Sequence, residues 1–390
     1  MAFLAGSVSF SRFRVSGGSP KRLDENLLEK FREHRIGGER VMRSDREETG
    51  WIGGRHLLDC EFDIEKNVLL DCLHFGMRID ASRIPPDLLR AYVQMEIDSL
   101  DHAAGNGARA AQRRRRARQA ADRRAEREIK EGRFRRLRQF PMLFDTRNDV
   151  LYAGATSPAV HERLHPLFKK TFGKRLEPMT AGQRACAWAE DNGLARRLEN
   201  HEPARFVPHP SGNGHPPVYW TANDPASRDE LGNEFLLWLW HHLAERTDTI
   251  RLADETDAAV VIVRQLVLEC PWAETGKETI VCDGPTQLPE SRQAIRTGKL
   301  PRRAGLIVSR QGAQYEFTLQ AESLGISAAT LPKIEANGNG HARARMEERI
   351  EQIRHLAQTI DLLYAAFLKR RLSSAWPNDV EHIKNWIRTA

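Results

Sequence analysis

The densest group of chemically active side chains in this sequence is a run of basic residues between Arg109 and Arg138. It holds fourteen Arg and Lys against four Asp and Glu, a net charge of +10, whereas the whole chain of 390 residues carries +7. The other 360 residues therefore sum to −3. Basic charge concentrated in one segment of an otherwise neutral protein indicates a polyanionic partner.

We predict that the basic side chains of this segment contact the backbone of nucleic acid. An exposed guanidinium suits a phosphate, with which it forms paired hydrogen bonds. Such binding is driven by counterion release, so it is insensitive to base sequence and steeply dependent on salt. The predicted contacts are Arg109, Arg113, Arg114, Arg115, Arg116, Arg118, Arg123, Arg124, Arg127, Lys130, Arg133, Arg135, Arg136 and Arg138.

The composition of residues 108–130 predicts a helix without an apolar face. Ala, Gln, Glu and Arg dominate, and no apolar side chain larger than alanine precedes Ile129. A helix with nothing to bury is either solvated or bound to a partner. A solvated spacer and a membrane-surface helix are the alternatives; the few acidic residues disfavour the first and the lack of an apolar face disfavours the second.

Two features bear on which nucleic acid would bind. No aromatic residue that could stack on bases occurs in the segment before Phe134, which favours double-stranded DNA over a single strand. An arginine-rich helix does not distinguish DNA from RNA, so an RNA- or ribosome-associated protein stays an alternative.

Signatures of nucleotide hydrolysis, zinc and disulfides are missing from the sequence. Gly276-Lys277 is the nearest approach to a phosphate-binding loop, but Pro271 replaces its first glycine and Glu278 follows the lysine where Ser or Thr is required. The five cysteines show no CxxC spacing, which predicts reduced thiols. We expect no cofactor.

Histidines and aspartates give weaker indications of metal chemistry. His241 and His242 would point about 100° apart on a helix, so they cannot easily share a metal ion. Three other histidines fit no known ligand spacing, and four aspartates near expected strand ends motivate only a less favoured alternative, a metal-dependent nuclease. These residues are His201, His209, His215, Asp59, Asp63, Asp71 and Asp80. We predict a non-enzymatic protein with no catalytic residues and no metal ligands.

Hydrophobic patterning predicts an α+β fold (mixed α/β) of two helix-covered sheets, with a protruding basic helical arm and a long C-terminal helix. Asp24 is an expected N-cap, Gly50–Gly54 an expected turn around a buried tryptophan, and residues 57–62 and 68–79 an expected strand pair. Glycine-rich breaks are expected at residues 105–107 and 337–340. The predicted units are residues 1–180, with the arm at 104–138, residues 181–335 and residues 336–390.

The last predicted helix, residues 342–372, carries apolar residues at alternating steps of four and three. Such a heptad-like seam packs either on its own chain or in a dimer interface, and the pattern leaves both open. Its members are Met346, Ile350, Ile353, Ala357, Ile360, Tyr364 and Phe367. No apolar run approaches the roughly 20 residues of a membrane helix, and residues 1–11 lack signal-peptide features, so a cytoplasmic location without membrane association is expected.

Several stretches of the sequence resemble the bacterial recombination-associated family RdgC. The likeness covers roughly residues 7–180 and includes a Gly-Trp motif and an aromatic strand–turn–strand block. The similar stretches are Phe10–Arg14, Thr49–Gly53, Ile84–Arg90, Arg133–Leu137, Met142–Thr146, Val150–Tyr152 and, as in longer members, Gly232–Trp240.

The resemblance implies a ring-shaped homodimer whose central hole admits duplex DNA. It also implies binding without sequence preference, antagonism of RecA-promoted strand exchange, association with the nucleoid, and no established catalytic residues. This sequence departs from the family pattern in its far more arginine-rich helix and its longer C-terminal half.

Overall fold

The computed structural model describes residues 3–20, 22–38, 42–44, 47–103, 110–207, 218–221, 224–334 and 342–389. The strands in these residues are β1 (Val8–Val15), β2 (Met42–Ser44), β3 (Glu47–Ile52), β4 (Val68–Leu69), β5 (Cys72–Ser82), β6 (Arg135–Asp145), β7 (Val150–Ala153), β8 (Leu176–Pro178), β9 (Thr249–Arg251), β10 (Asp257–Glu269), β11 (Lys277–Val281), β12 (Leu300–Arg310), β13 (Ala313–Gln320) and β14 (Ile326–Thr330). The α-helices are α1 (Glu25–Glu33), α2 (Ile64–Asn67), α3 (Pro86–Ala103), α4 (Ala110–Lys130), α5 (Pro158–Phe172), α6 (Ala181–Asp191), α7 (Ala195–Glu199), α8 (Leu231–Glu245), α9 (Pro289–Arg296), α10 (Ala342–Arg371) and α11 (Trp376–Thr389).

Strand β1 joins two halves of an antiparallel sheet. Its start pairs with β14, where Phe10 lies opposite Ile326, and its end pairs with β7, where Arg14 lies opposite Val150. The strand order is β11-β10-β12-β13-β14-β1-β7-β6-β5-β3-β2, with β4, β8 and β9 paired to β5, β1 and β10. The α+β class is confirmed, and the two expected sheets are the two ends of one continuous sheet.

Helices α1 and α5 cover one face of the N-terminal end of this sheet. Alternation along β1 sends Phe13 and Val15 to this face, where they join an aromatic core. Trp51 at the centre of this core is fully buried, and its indole N–H donates to Thr171 Oγ1 of α5 at 2.8 Å. A buried tryptophan whose polar atom is satisfied packs as an ordinary core residue.

Three local predictions from this part of the sequence have different outcomes. The Asp24 N-cap is confirmed, because its carboxylate accepts a hydrogen bond from the Leu27 N–H at 3.1 Å. The expected burial of Trp51 is confirmed, but the turn at 50–54 is wrong, because Trp51 lies in β3. The strand at 57–62 is also wrong: Asp59 folds these residues into a loop by binding nearby backbone N–H groups and Lys66, and β5 pairs with β3 and β6 instead.

Helices α8 and α10 form the centre of the second core. The seam of α10 is buried within its own chain: Ile350, Ile353, Ile360 and Phe367 are all fully buried, against α6, α8 and the sheet. This burial decides between the two interpretations of the heptad pattern in favour of intramolecular packing. Of the helices in the described ranges, none is long and apolar enough to cross a membrane.

An ion-pair cluster attaches α10 to the N-terminal end of the sheet. The Arg354 guanidinium donates to both oxygens of Asp145, at 2.7 and 2.9 Å, and also to Asp71. The Asp145 side chain is 0% exposed and that of Arg354 is 10% exposed. Burial alone would lower the pKa of Arg354, but the hydrogen bonds to Asp145 and Asp71 raise it. Arg354 therefore keeps its positive charge despite being buried.

We expect Arg354→Met to destabilise the protein by about 3 to 5 kcal/mol, because it leaves the Asp145 carboxylate buried without a counter-charge. Urea denaturation followed by circular dichroism measures this change. The matched control is Arg345→Met on the same helix, at an exposed position, where the change should stay within about 0.5 kcal/mol. Equal effects of the two substitutions would contradict the role assigned to Arg354.

Candidate nucleic-acid interface

The predicted basic arm is the second half of a helical hairpin inserted between two neighbouring strands. Strand β5 ends at Ser82, β6 begins at Arg135, and these two residues are the last pair of the β5–β6 ladder. Helices α3 and α4 leave the sheet from this end and pack mainly against each other among the described elements. Residues 104–109 between them, with the predicted glycine-rich break and Arg109, lie outside the described residues.

Helix α4 has a packing face made of alanine. Ala117, Ala121 and Ala125 are 0%, 0% and 5% exposed. Residues four apart lie on one side of a helix, and their small side chains let the backbones of α3 and α4 approach closely. The prediction of a helix with nothing to bury is therefore wrong, since alanine buries enough surface for one narrow contact with a neighbouring helix.

A polar cluster closes the base of the hairpin. Tyr92 of α3 donates its hydroxyl hydrogen to Glu128 of α4 at 2.8 Å, and Arg124 lies 4.0 Å above the Tyr92 ring and 3.3 Å from the Glu128 carboxylate. The Tyr92 hydrogen bond and the charge of Arg124 lower the pKa of Glu128, and the same hydrogen bond raises the pKa of Tyr92. Arg124 is therefore engaged in contacts within the hairpin.

Four basic residues form a stripe along the exposed side of α4. Arg116, Arg123, Arg127 and Lys130 are spaced by seven, four and three residues. At about 100° per residue these positions fall within a sector of about 60°, well away from the buried alanines. All four side chains are exposed. We call these four residues the α4 stripe.

Most of the predicted contact residues are free of intramolecular ion pairs. Among the described residues, no carboxylate lies within ion-pair distance of the α4 stripe or of five other arginines, all exposed. Those five are Arg114, Arg115, Arg118, Arg136 and Arg138. Arg138 lies 5.1 Å from the centre of the Phe140 ring. Most of these basic side chains therefore have no carboxylate partner among the described residues.

The remaining predicted residues have partners or are partly buried. Arg135 binds Asp80 at 2.6 Å and Glu48 at 3.4 Å, at the point where the hairpin leaves the sheet. Arg133 lies 3.8 Å from Glu128 and 3.6 Å from Glu131, and Arg113 is half-buried. Among the described residues, the predicted contact surface therefore reduces to the α4 stripe with Arg114, Arg115, Arg118, Arg136 and Arg138.

The aspartates that motivated the nuclease alternative all have structural partners. Asp80 binds Arg78 at 2.7 Å as well as Arg135, Asp59 binds Lys66 at 2.9 Å, and Asp63 caps α2. Asp71 lies beside Cys72 and Asp145 in a group whose ligand atoms lie within 4.8 Å of one another. The Arg354 guanidinium binds this group and supplies its counter-charge.

The histidines considered as ligands are dispersed. The side chain of His201 is buried, with an exposure of 1%, and its Nε2 lies 3.7 Å from Glu230. His209 and His215 lie outside the described residues. His241 and His242 pack on Trp386 and Trp238, respectively, and burial lowers the pKa of both rings, to about 4 for His241.

Sequence reasoning missed the residues that orient the arm. The alanines at positions 117, 121 and 125 carry a four-residue period that could have indicated a narrow packing face. The pairing of Tyr92 with Glu128 had no local signal, because it links residues 36 positions apart.

Comparisons with known proteins add no relationship: no model of a protein family matches the chain, and no significant match is found among curated proteins.

The alanine face gives a direct test of the hairpin. We expect Ala121→Leu to destabilise it, because a larger side chain at a fully buried position forces α3 and α4 apart, at a cost of about 1 to 3 kcal/mol. Hydrogen exchange of the α3 and α4 amides measures the loss. Ala111→Leu, at an exposed position of the same helix, serves as the control and should leave protection unchanged. Identical protection in both variants would mean that α4 is solvated on all sides.

Proposed function

We propose that the protein binds the backbone of double-stranded DNA without sequence preference, through the α4 stripe and the neighbouring arginines. The observation that carries this proposal is the set of exposed basic side chains that no carboxylate of the described residues neutralises, presented on a hairpin fixed to the sheet. The packed alanines on the opposite side supply the fixed orientation that a solvated helix would lack.

The dimensions of the stripe suit a duplex. From Arg116 to Lys130 it runs about 21 Å, at about 1.5 Å per residue. Duplex DNA carries one charge for about every 1.7 Å of its axis, so a helix of this length faces several phosphates on both strands. Guanidinium groups bind phosphate oxygens in pairs and read no base sequence.

The aromatic residues near the stripe support a backbone contact over base stacking. Tyr92 is buried between α3 and α4, and Phe140 is buried in the sheet with Arg138 above it. Neither ring is open to a base. Single-strand binders rely on exposed aromatic rings; among the described aromatic residues in and beside the hairpin only Phe134 is partly exposed, and none lies on α4, which favours the duplex.

The likeness to RdgC in residues 7–180 extends the proposal. It supports a homodimer that encircles the duplex, association with the nucleoid and antagonism of RecA-promoted strand exchange. Because the seam of α10 is used within the chain, a dimer would need another surface. Light scattering of the purified protein gives the mass of the particle and tests the dimer independently of DNA binding.

The salt dependence of binding tests the role of the stripe. We expect the quadruple Gln variant of Arg116, Arg123, Arg127 and Lys130 to bind duplex DNA more weakly. The slope of log affinity against log salt should fall in magnitude by about 3 to 4, since each lost phosphate contact removes about 0.9. Fluorescence anisotropy with two unrelated duplexes at several salt concentrations measures this slope, and both duplexes should respond alike.

The matched control removes the same charge elsewhere. The quadruple Gln variant of Arg196, Arg292, Arg303 and Arg345 replaces four exposed side chains that make no ion pair with the described residues. It should change the slope much less. Equal slopes for the two variants would show that total charge, and not the α4 stripe, sets the affinity.

Competition experiments separate duplex DNA from the alternatives. The proposal expects an unlabelled DNA duplex to displace the labelled duplex at lower concentration than structured RNA of the same length. Preferential displacement by RNA would favour an RNA-binding function. Cleavage of labelled DNA in the presence of Mg²⁺ or Mn²⁺ by wild type would favour a nuclease.

A further inference from the structure

A second basic surface lies at the opposite end of β6 from the helical hairpin. A cleft of about 480 Å³ opens between β1, the β6–β7 turn, α6 and α10. The chain returns from the hairpin to the sheet at Arg135, and the turn follows Asp145, ten residues further along the strand. At about 3.3 Å per residue the two places are about 33 Å apart. The cleft is therefore a separate site from the α4 stripe.

Five arginines line this cleft. Alternation along β1 places Arg12 and Arg14 on the face opposite the aromatic core, and the β6–β7 turn contributes Arg147. Helix α6 contributes Arg184 and α10 contributes Arg354. Strands, a turn and two helices thus bring guanidinium groups together that are distant in the sequence.

Two of these arginines have structural roles. Arg354 is bound to Asp145 and Asp71, as described above. Arg12 is buried at the base of the cleft and binds both oxygens of Asp361, at 2.8 and 2.9 Å. Its Nε is also buried and has no hydrogen-bond partner in the described part of the chain. The base of the cleft is thus fixed by ion pairs.

The positive charge of the other three arginines exceeds the negative charge of the carboxylates near them. Arg184 lies 3.1 Å from Asp361, but it shares that carboxylate with Arg12. Arg14 and Arg147 are exposed, and neither forms an ion pair with any described carboxylate, although Glu177 lies opposite Arg14 on β8. Burial and the charges of Arg12 and Arg14 lower the pKa of Arg184, and the charge of Asp361 partly offsets this decrease. Asp361 therefore serves two of the four guanidinium groups not bound to Asp145, and Arg14 and Arg147 have no carboxylate among the described residues. The other carboxylate of the lining, Glu351, is paired with Arg354.

We propose that this cleft is a second phosphate-binding site, in which Arg14, Arg147 and Arg184 bind a phosphate monoester or diester above the Arg12–Asp361 pair. Converging guanidinium groups bind phosphate oxygens through paired, charge-assisted hydrogen bonds. The volume falls within the range of about 300 to 1,000 Å³ of small-ligand sites, so the cleft can hold a nucleotide as well as one phosphate of a nucleic acid.

The phosphate group that binds in the cleft could belong to a free nucleotide or to the backbone of bound nucleic acid. Only the second rests on the proposed function. Because the cleft lies about 33 Å from the hairpin, substitutions at the two places should act independently. A failure of the α4 stripe to bind DNA would therefore leave binding of a free nucleotide by the cleft unaffected.

The test uses the double variant Arg14→Gln with Arg147→Gln, because both side chains are exposed and outside the ion pairs that hold the fold. Isothermal titration calorimetry with inorganic phosphate and with AMP, at constant ionic strength, measures affinity and stoichiometry. We expect one saturable site in wild type and affinity weaker by about tenfold or more in the variant. The control, Arg196→Gln with Arg303→Gln, should match wild type.

Further arms identify the source of the phosphate and guard against misfolding. Weaker binding of both AMP and a duplex by the double variant assigns the site to nucleic acid, whereas weaker binding of AMP alone assigns it to a free nucleotide. Arg14→Lys with Arg147→Lys keeps the charge and should retain intermediate affinity. Absence of saturable phosphate and AMP binding in wild type, or equal affinity in wild type and the Gln variant, overturns the proposal.

Discussion

The double pairing of β1 is the constraint on which the rest of the structure depends. Because one edge of this strand bonds to β14 and the other to β7, the two ends of the sheet have a fixed relative position. Helix α10 can then pack across both, with its apolar seam on the second core and Arg354 on Asp145. The arginine cleft exists only because β1, the β6–β7 turn, α6 and α10 meet.

Buried and exposed arginines of this molecule differ in their carboxylate partners. Buried arginines such as Arg12 and Arg354 each bind a carboxylate in the paired geometry that offsets the cost of desolvation. The exposed arginines of α4 have almost no such partners, and water screens their mutual repulsion. Folding therefore uses the first group, whereas the second group is available to a polyanion.

Patterns local in sequence predicted much of the fold, and contacts distant in sequence were missed. The Asp24 cap, the long helix α10 and strand β5 follow from periodicity and turn residues within a few positions. The loop at 57–62 was misread because Asp59 satisfies backbone N–H groups there, which no hydrophobic pattern reveals. For the candidate site, the basic surface could be predicted from the arginine and lysine content of the segment. The alanine packing face and the cleft needed coordinates, because neighbours on α3, β1 and α6 define them.

The insertion of the hairpin between adjacent strands has a consequence for how the protein can vary. Its two ends meet at one residue pair of the β5–β6 ladder, Ser82 and Arg135. The pairing of the strands therefore depends on where the chain leaves and re-enters the sheet, and not on the length of the hairpin. Whole helical turns can be added to or removed from both helices together without shifting a single strand. The reach of the arm is thereby decoupled from the architecture that carries it.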